Sequence, residues 1–232
     1  MENKSKGKAV ERIYALLDER SFVEIGQAVT ARSTDFQLDK VETPSDGVVT
    51  GYGLINGCPV YVYSQDAQVL GGSIGEMHAR KIVNLYDLAI KTGVPVIGMI
   101  DCAGIRLQES TDALHAFGMI YKKQAEASGV ILQISAIFGN CGGGLSVFTT
   151  LTDFTLMEEK GQLFVNAPNA IEGNRKEVLN SASAVFQSKE VGTVDFVGNE
   201  TEVFEEIRKL TQIFPSNYKD QSKVIDCVDD LN

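Results

Sequence analysis

The chain has 232 residues, 44% of them hydrophobic and 22% charged, with a formal net charge of −10. An acidic surface argues against a duplex nucleic-acid partner, and no stretch approaches the ~20 apolar residues of a membrane span. The length allows one large α/β core or two small ones.

The first stretch, "MENKSKGKAVERIYALLDER", is charged and has no signal-peptide apolar region, so a cytoplasmic protein is expected. Residues 8–18 put Val10, Ile13 and Leu17 on one helical face. "GVVTGYGLINGCPVYVYSQD" (47–66) predicts two strands joined at Asn56-Gly57, the favoured hairpin dipeptide. Residues 76–91 repeat apolar positions at Ala79, Ile82, Tyr86 and Ala89, a helix punctuated by Gly93 and Pro95. "VPVIGMID" (94–101) and "VILQISAIFG" (130–139) are continuous apolar runs, as buried parallel strands require. Between them, 110–129 predicts a helix capped by Ser110 or Thr111 and closed by Gly129. Short strands are expected at 154–157 and 163–166, and a last helix at 201–213. The single α/β domain is expected to span 1–215, with a polar tail over 216–232. Cys58, Cys102, Cys141 and Cys227 show no CxxC spacing and only two histidines exist, which argues against a zinc site.

Two glycine clusters carry the chemistry. "GNCGGG" ends the apolar run at 130–139 and opens the next helix, and Asp153 follows nine residues after Gly144. Amides at a helix start have no intrahelical partner and carry partial positive charge. Without side chains, Gly142, Gly143 and Gly144 would let a carbonyl approach those amides, the arrangement of an oxyanion hole. Close helix–strand packing explains the same glycines equally well.

The second cluster, "LGGSIGEMHARK", also opens a helix. Gly71 and Gly72 offer a second amide to the same hole. Gly71, Ser73 and Gly75 also match G-x-S-x-G, and Asp101 and His115 follow in hydrolase order. The elbow needs a strand ending at the serine, however, and "SQDAQVL" intervenes, so the hydrolase is the lesser alternative.

The segments "ERIYALLDERSFVEI", "DGVVTGYGLINGCPVYVYSQD", "GGSIGEMHARKI", "GVPVIGMIDCAGIRLQE" and "GNCGGG" together resemble, from about residue 8 to 213, the N-terminal half of the biotin-dependent acyl-CoA carboxyltransferase β-subunits. The resemblance implies a crotonase-like ββα spiral. It implies that Gly143 and Gly144 hold the enolate oxygen of an acyl-CoA or acyl-carrier thioester, with Gly142 where the family often has alanine. Crotonase hydratases resemble this pattern too, but the positions of their two glutamates fall on Ser146 and Asn169, neither of which is an acid or base at neutral pH.

Departures from the pattern matter. "DCAGIR" stands where the family has D-S-G-G-A-R, so the substrate-binding positions include a bulky Ile105 beside Arg106. Arg106 is read either as a CoA phosphate contact or as an ion-pair partner of Asp101 or Glu109. "NSASAVFQSKEVGTVDFV" lacks the family's glycine pair and histidine, with Phe186 near the latter. No biotinyl-lysine motif and no ATP-grasp loop occur. The resemblance therefore implies biotin on a separate carrier protein, a second carboxyltransferase half as partner, and a hetero-oligomer active only when assembled. A malonate decarboxylase β-type subunit is the alternative, followed by a non-catalytic scaffold.

Overall fold

Strands that are apolar at every position need cover on both faces. The computed structural model, which describes residues 7–220 apart from 35, 171, 174 and 178, supplies it. Its sheet has eight strands: β1 (Val23–Ile25), β2 (Val48–Ile55), β3 (Cys58–Gln65), β4 (Val96–Cys102), β5 (Gln133–Gly142), β6 (Phe154–Glu158), β7 (Gln162–Phe164) and β8 (Phe196–Gly198). Their order is β1-β2-β3-β4-β5-β6-β8, with β7 also on β5. The β1–β2 and β2–β3 pairs are antiparallel; from β3 onward every pair is parallel.

Successive strand residues point to opposite faces. Tyr63, Ile100 and Ile137 face a core shared with α2 (Glu76–Thr92) and α3 (Ser110–Ala127). Val62, Met99 and Ile134 face the opposite core, with Ile13 of α1 (Lys8–Leu16) and Ile207 of α6 (Glu200–Ile213). Two short helices, α4 (Leu145–Thr150) and α5 (Ala184–Phe186), complete the set.

The predicted elements from residue 47 to 102 fall in place: Asn56 and Gly57 form the hairpin turn with φ of 50° and 77°, and all four apolar repeats of α2 are buried. Several boundaries differ for local reasons. The first helix stops at Leu16 because Leu17 turns extended, sending Asp18 to the hairpin. Neither Ser110 nor Thr111 caps α3; Ser110 has φ 49° and makes no capping bond. The last helix starts earlier because Asn199 and Glu202 form a capping box. After Pro215, Ser216 and Tyr218 hydrogen-bond the main chain at Leu132 and Val130. Cys227 lies outside the described residues.

β4 and β5 run in register to Ile100↔Ile137 and resume only at Cys102↔Cys141, so β5 carries a bulge there. Bulges redirect a strand end. This one accommodates the Asp101 carboxylate, which pairs with Arg12 at 3.2 Å, and brings the end of β5 beside that of β4. Ligand sites of parallel sheets lie at such carboxyl ends.

Asp18 ties three elements together. Its two oxygens accept the amides of Asn56 (3.0 Å) and Gly57 (2.9 Å), and Arg208 of α6 lies 3.2 Å away. The Gly57 amide chiefly holds its carboxyl below the usual 3.8, against the opposing effect of burial, with Asn56 and Arg208 assisting. Such a carboxylate stabilises the fold above the unfolded pKa and loses that contribution as pH falls through the folded one. Asp18→Asn should therefore cost about 1 kcal/mol at pH 7. Urea denaturation should show parent and variant converging below about pH 4; a gap unchanged at pH 3 would remove the carboxylate's role.

Candidate active site

Two connections leave the carboxyl ends of the central strands. The first, 103–105, follows β4; the second, 142–144, ends β5 and opens α4. They approach closely: a Cβ built on Gly104 would lie 3.7 Å from the Gly142 carbonyl. Between them opens a cavity of about 470 Å³. Ala103, Gly104 and Ile105 form one wall, and the three glycines and Phe164 form the other. Leu114, Phe117 and Tyr121 of α3 close it, and among the described residues no carboxylate, histidine or cysteine lines it.

Amide accounting separates the two walls' roles. The Gly143 amide donates to the Phe164 carbonyl at 3.0 Å, extending the β5–β7 pairing. This corrects the expectation that Gly143 turns its amide toward a ligand. Its φ of 62° instead makes it the left-handed turn residue between strand and helix. The Gly144 amide donates to no described group, and neither does that of Ile105. Both residues line the cavity. α4 is only six residues long, so any polar character these residues lend the site rests on unused donors rather than on a long helix dipole.

The second glycine cluster supports this wall from behind. Ala103 donates to the Gly71 carbonyl at 2.8 Å, Ile74 to the Gly104 carbonyl at 2.9 Å, and Arg106 to the Ile74 carbonyl at 3.0 Å. A Cβ on Gly72 would stand 2.3 Å from the Asp101 carbonyl, so the packing explanation holds there. Among the described residues, Gly71, Gly72 and Ser73 do not line the cavity; the unbonded amide of this wall is that of Ile105.

Arg106 is corrected likewise. Its guanidinium is fully enclosed and leaves no surface for a CoA phosphate. Nη1 pairs with Asp46 and with Glu109 at 3.0 Å; Nη2 donates to the Ser73 carbonyl at 2.7 Å. Of the expected ion-pair partners, Glu109 is present and Asp101 is not. Asp46 also accepts the His78 amide at 2.7 Å, and Glu109 accepts the Glu76 amide at 2.7 Å. Burial lifts the Asp46 carboxyl above its usual value, while Arg106 pulls it back. Ser45, Asp46 and Gly47 all have positive φ (53°, 48° and 70°), a strained turn that aims this carboxylate inward.

The hydrolase arrangement is not assembled. Ser73 has ordinary extended angles (φ −63°, ψ 142°), and its Oγ accepts from Arg106 Nε at 3.3 Å. His115 is exposed on α3, and Asp101 is engaged with Arg12. The hydratase positions are equally inert. Ser146 Oγ donates to the Gly143 carbonyl at 2.7 Å, and exposed Asn169 accepts the Lys176 amide. Burial raises the Cys102 thiol to about 12 and pushes Cys141 up as well, so neither is a ready nucleophile.

The family described as "Carboxyl transferase domain" matches residues 2–232. The chain belongs to the carboxyl transferase domain family. It is 40% identical over 232 residues to methylmalonyl-CoA decarboxylase subunit alpha of Propionigenium modestum, covering 98% of this chain and 45% of that one. It is also 40% identical over 233 residues to the propionyl-CoA carboxylase beta chain of Roseobacter denitrificans, covering 98% and 46%. The transcarboxylase 12S hexamer core, solved with methylmalonyl-coenzyme A and methylmalonic acid bound, superposes with a TM-score of 0.90 at 35% identity over 94% of this chain and 44% of that one. A Pseudomonas malonate decarboxylase hetero-tetramer shares the fold, with a TM-score of 0.77 at 24% identity over 91% of this chain and 82% of that one. The chain spans about half the length of the curated relatives it matches. The crotonase-like fold of these carboxyltransferases is the fold of this chain.

The missed residues are Ala103, Gly104, Leu114, Phe117, Gly118, Tyr121 and Phe164. The first two stood at the end of a recognised strand, where the carboxyl-end rule points. Phe164 carried no sequence signal.

Removing the buried cation should expose the network's cost. Arg106→Met leaves Asp46 and Glu109 buried without a counter-charge, a loss of about 3–5 kcal/mol in chemical denaturation. Arg106→Lys keeps the charge without the fork and should fall between. A loss below about 1 kcal/mol for Arg106→Met would show that the network does not hold this region.

Proposed function

We propose that this chain is the thioester-binding half of a biotin-dependent carboxyltransferase, acting on an acyl thioester of coenzyme A or of an acyl carrier protein. The observation that carries the reading is that two lining residues of a largely apolar cavity, Ile105 and Gly144, have amides with no described partner. Negative charge on a thioester oxygen develops when its α-carbon gains or loses a carboxyl group. Two fixed donors in a largely apolar cavity stabilise that charge more than they stabilise the neutral carbonyl. Gly142 and Gly143 shape the approach, Arg106 positions the Ile105 loop, and Gly71–Ser73 back it.

Among the described residues, the lining has no acid or base other than the Tyr121 phenol, whose hydroxyl donates to the Gly144 carbonyl and whose pKa burial raises. Proton handling is therefore assigned to groups outside this cavity. Biotin, held on a separate carrier protein, supplies the carboxyl donor or acceptor when it is bound. A second carboxyltransferase half seats it, and the assembly is a hetero-oligomer in the cytoplasm. Among the described residues, no helix is long and apolar enough to cross a membrane. Whether the complex carboxylates or decarboxylates is set by the chains that accompany it.

Gly144→Pro tests the donor directly. Gly144 has φ −57°, which proline adopts, and its amide holds no fold hydrogen bond. An added Cβ would meet the Tyr121 hydroxyl at 2.9 Å and the Phe117 ring at 3.3 Å, so Tyr121 must shift and give up its hydrogen bond to the Gly144 carbonyl. In the assembled complex, carboxyl transfer should fall about a hundredfold or more, with the melting temperature lowered by only a few degrees, roughly the effect of one lost hydrogen bond. A folded variant with the parent's rate would refute the oxyanion assignment. Gly143 is the poorer probe, because any side chain there strains a left-handed turn.

The serine reading has its own test. A fluorophosphonate should leave the chain unlabelled; stoichiometric labelling of Ser73 would restore the hydrolase.

A further inference from the structure

Phe164 touches the active-site cavity and also a second hollow. That hollow, about 370 Å³, is lined on its other sides by Val147 and Thr150 of α4, Leu163, Val165 and Val191. Among the described residues, Phe164 alone is common to the two linings. Its main chain is fixed, because its carbonyl accepts the Gly143 amide and β7 pairs with β5. Its ring is fixed too. A Cβ on Gly142 would stand 2.4 Å from the ring's Cε2, so the ring lies directly on the glycine backbone. A side chain at residue 142 would not permit this placement.

From this geometry we infer that the Phe164 ring is the end wall of the acyl cavity and sets the length of acyl chain the site accepts. The inference rests on the thioester reading. With the ring in place, the acyl group meets Phe164 and must be short. With the ring removed, the cavity joins the hollow along α4, whose exposed Val147, Val165 and Val191 offer apolar surface to a longer chain. The ring acts by exclusion and performs no chemistry, and the carbonyl that holds Gly143 survives any substitution of the side chain.

The test compares propionyl-CoA and octanoyl-CoA binding by isothermal titration calorimetry, for the parent, Phe164→Ala and Phe164→Leu. The parent should bind propionyl-CoA more tightly. In both variants the octanoyl-to-propionyl affinity ratio should rise by about tenfold or more, the scale on which apolar pockets discriminate chain length. Leucine keeps an apolar side chain on β7, so it serves if alanine fails to fold. A folded variant with the parent's ratio overturns the end wall while leaving the thioester reading intact. A parent that, in the assembled complex, binds neither these acyl-CoAs nor the same acyl groups on an acyl carrier protein overturns both.

Discussion

A guanidinium without solvent access must be neutralised and hydrogen-bonded where it stands, and Arg106 is enclosed completely. Its partners come from separate parts of the chain: Asp46 from the turn before β2, Ser73 from the loop before α2, and Glu109 from the lead into α3. Glu109 in turn holds the first amide of α2. Satisfying one charge therefore fixes four segments relative to one another. Ile105 is the neighbour of that charge, so the location of its unused amide follows. The left-handed residues Ser45 and Asp46 cost on the order of 1–3 kcal/mol each, and the buried network offsets that strain.

The opposing wall is fixed by main-chain pairing instead. The β5 bulge lets the strand run on to Gly142, and the Gly143–Phe164 hydrogen bond stops the glycine loop from turning freely. The first glycine of the triplet lies under an aromatic ring, the second makes a left-handed turn, and the third carries the open donor. On the proposed reading, packing and oxyanion binding, which the sequence presented as rivals, are divided among neighbouring residues.

The layered α/β fold was legible because its strands are apolar throughout and its helices repeat with clear punctuation, as in 47–102. Three-residue strands such as β1 and β8 were not, since three positions carry no period. The extension of β5 beyond residue 139 was hidden because a bulge leaves no pattern in composition. At the site, the family motifs located both wall loops, but a motif does not say which amide is already bonded. Gly143 and Gly144 look alike in sequence; only the pairing with Phe164 separates them. Arg106 looked equally suited to phosphate binding or to an ion pair, and burial decided between them.

The central claim is that two backbone donors polarise a thioester carbonyl in an apolar cavity. Isotope-edited infrared difference spectroscopy on carbonyl-labelled propionyl-CoA reads that polarisation directly. Hydrogen bonds in a low-dielectric site act more strongly than those of bulk water. The bound carbonyl band should therefore lie at lower frequency than that of the free thioester in water. A bound band at or above the free frequency would mean that the carbonyl does not meet these amides, and the site would have to be placed elsewhere.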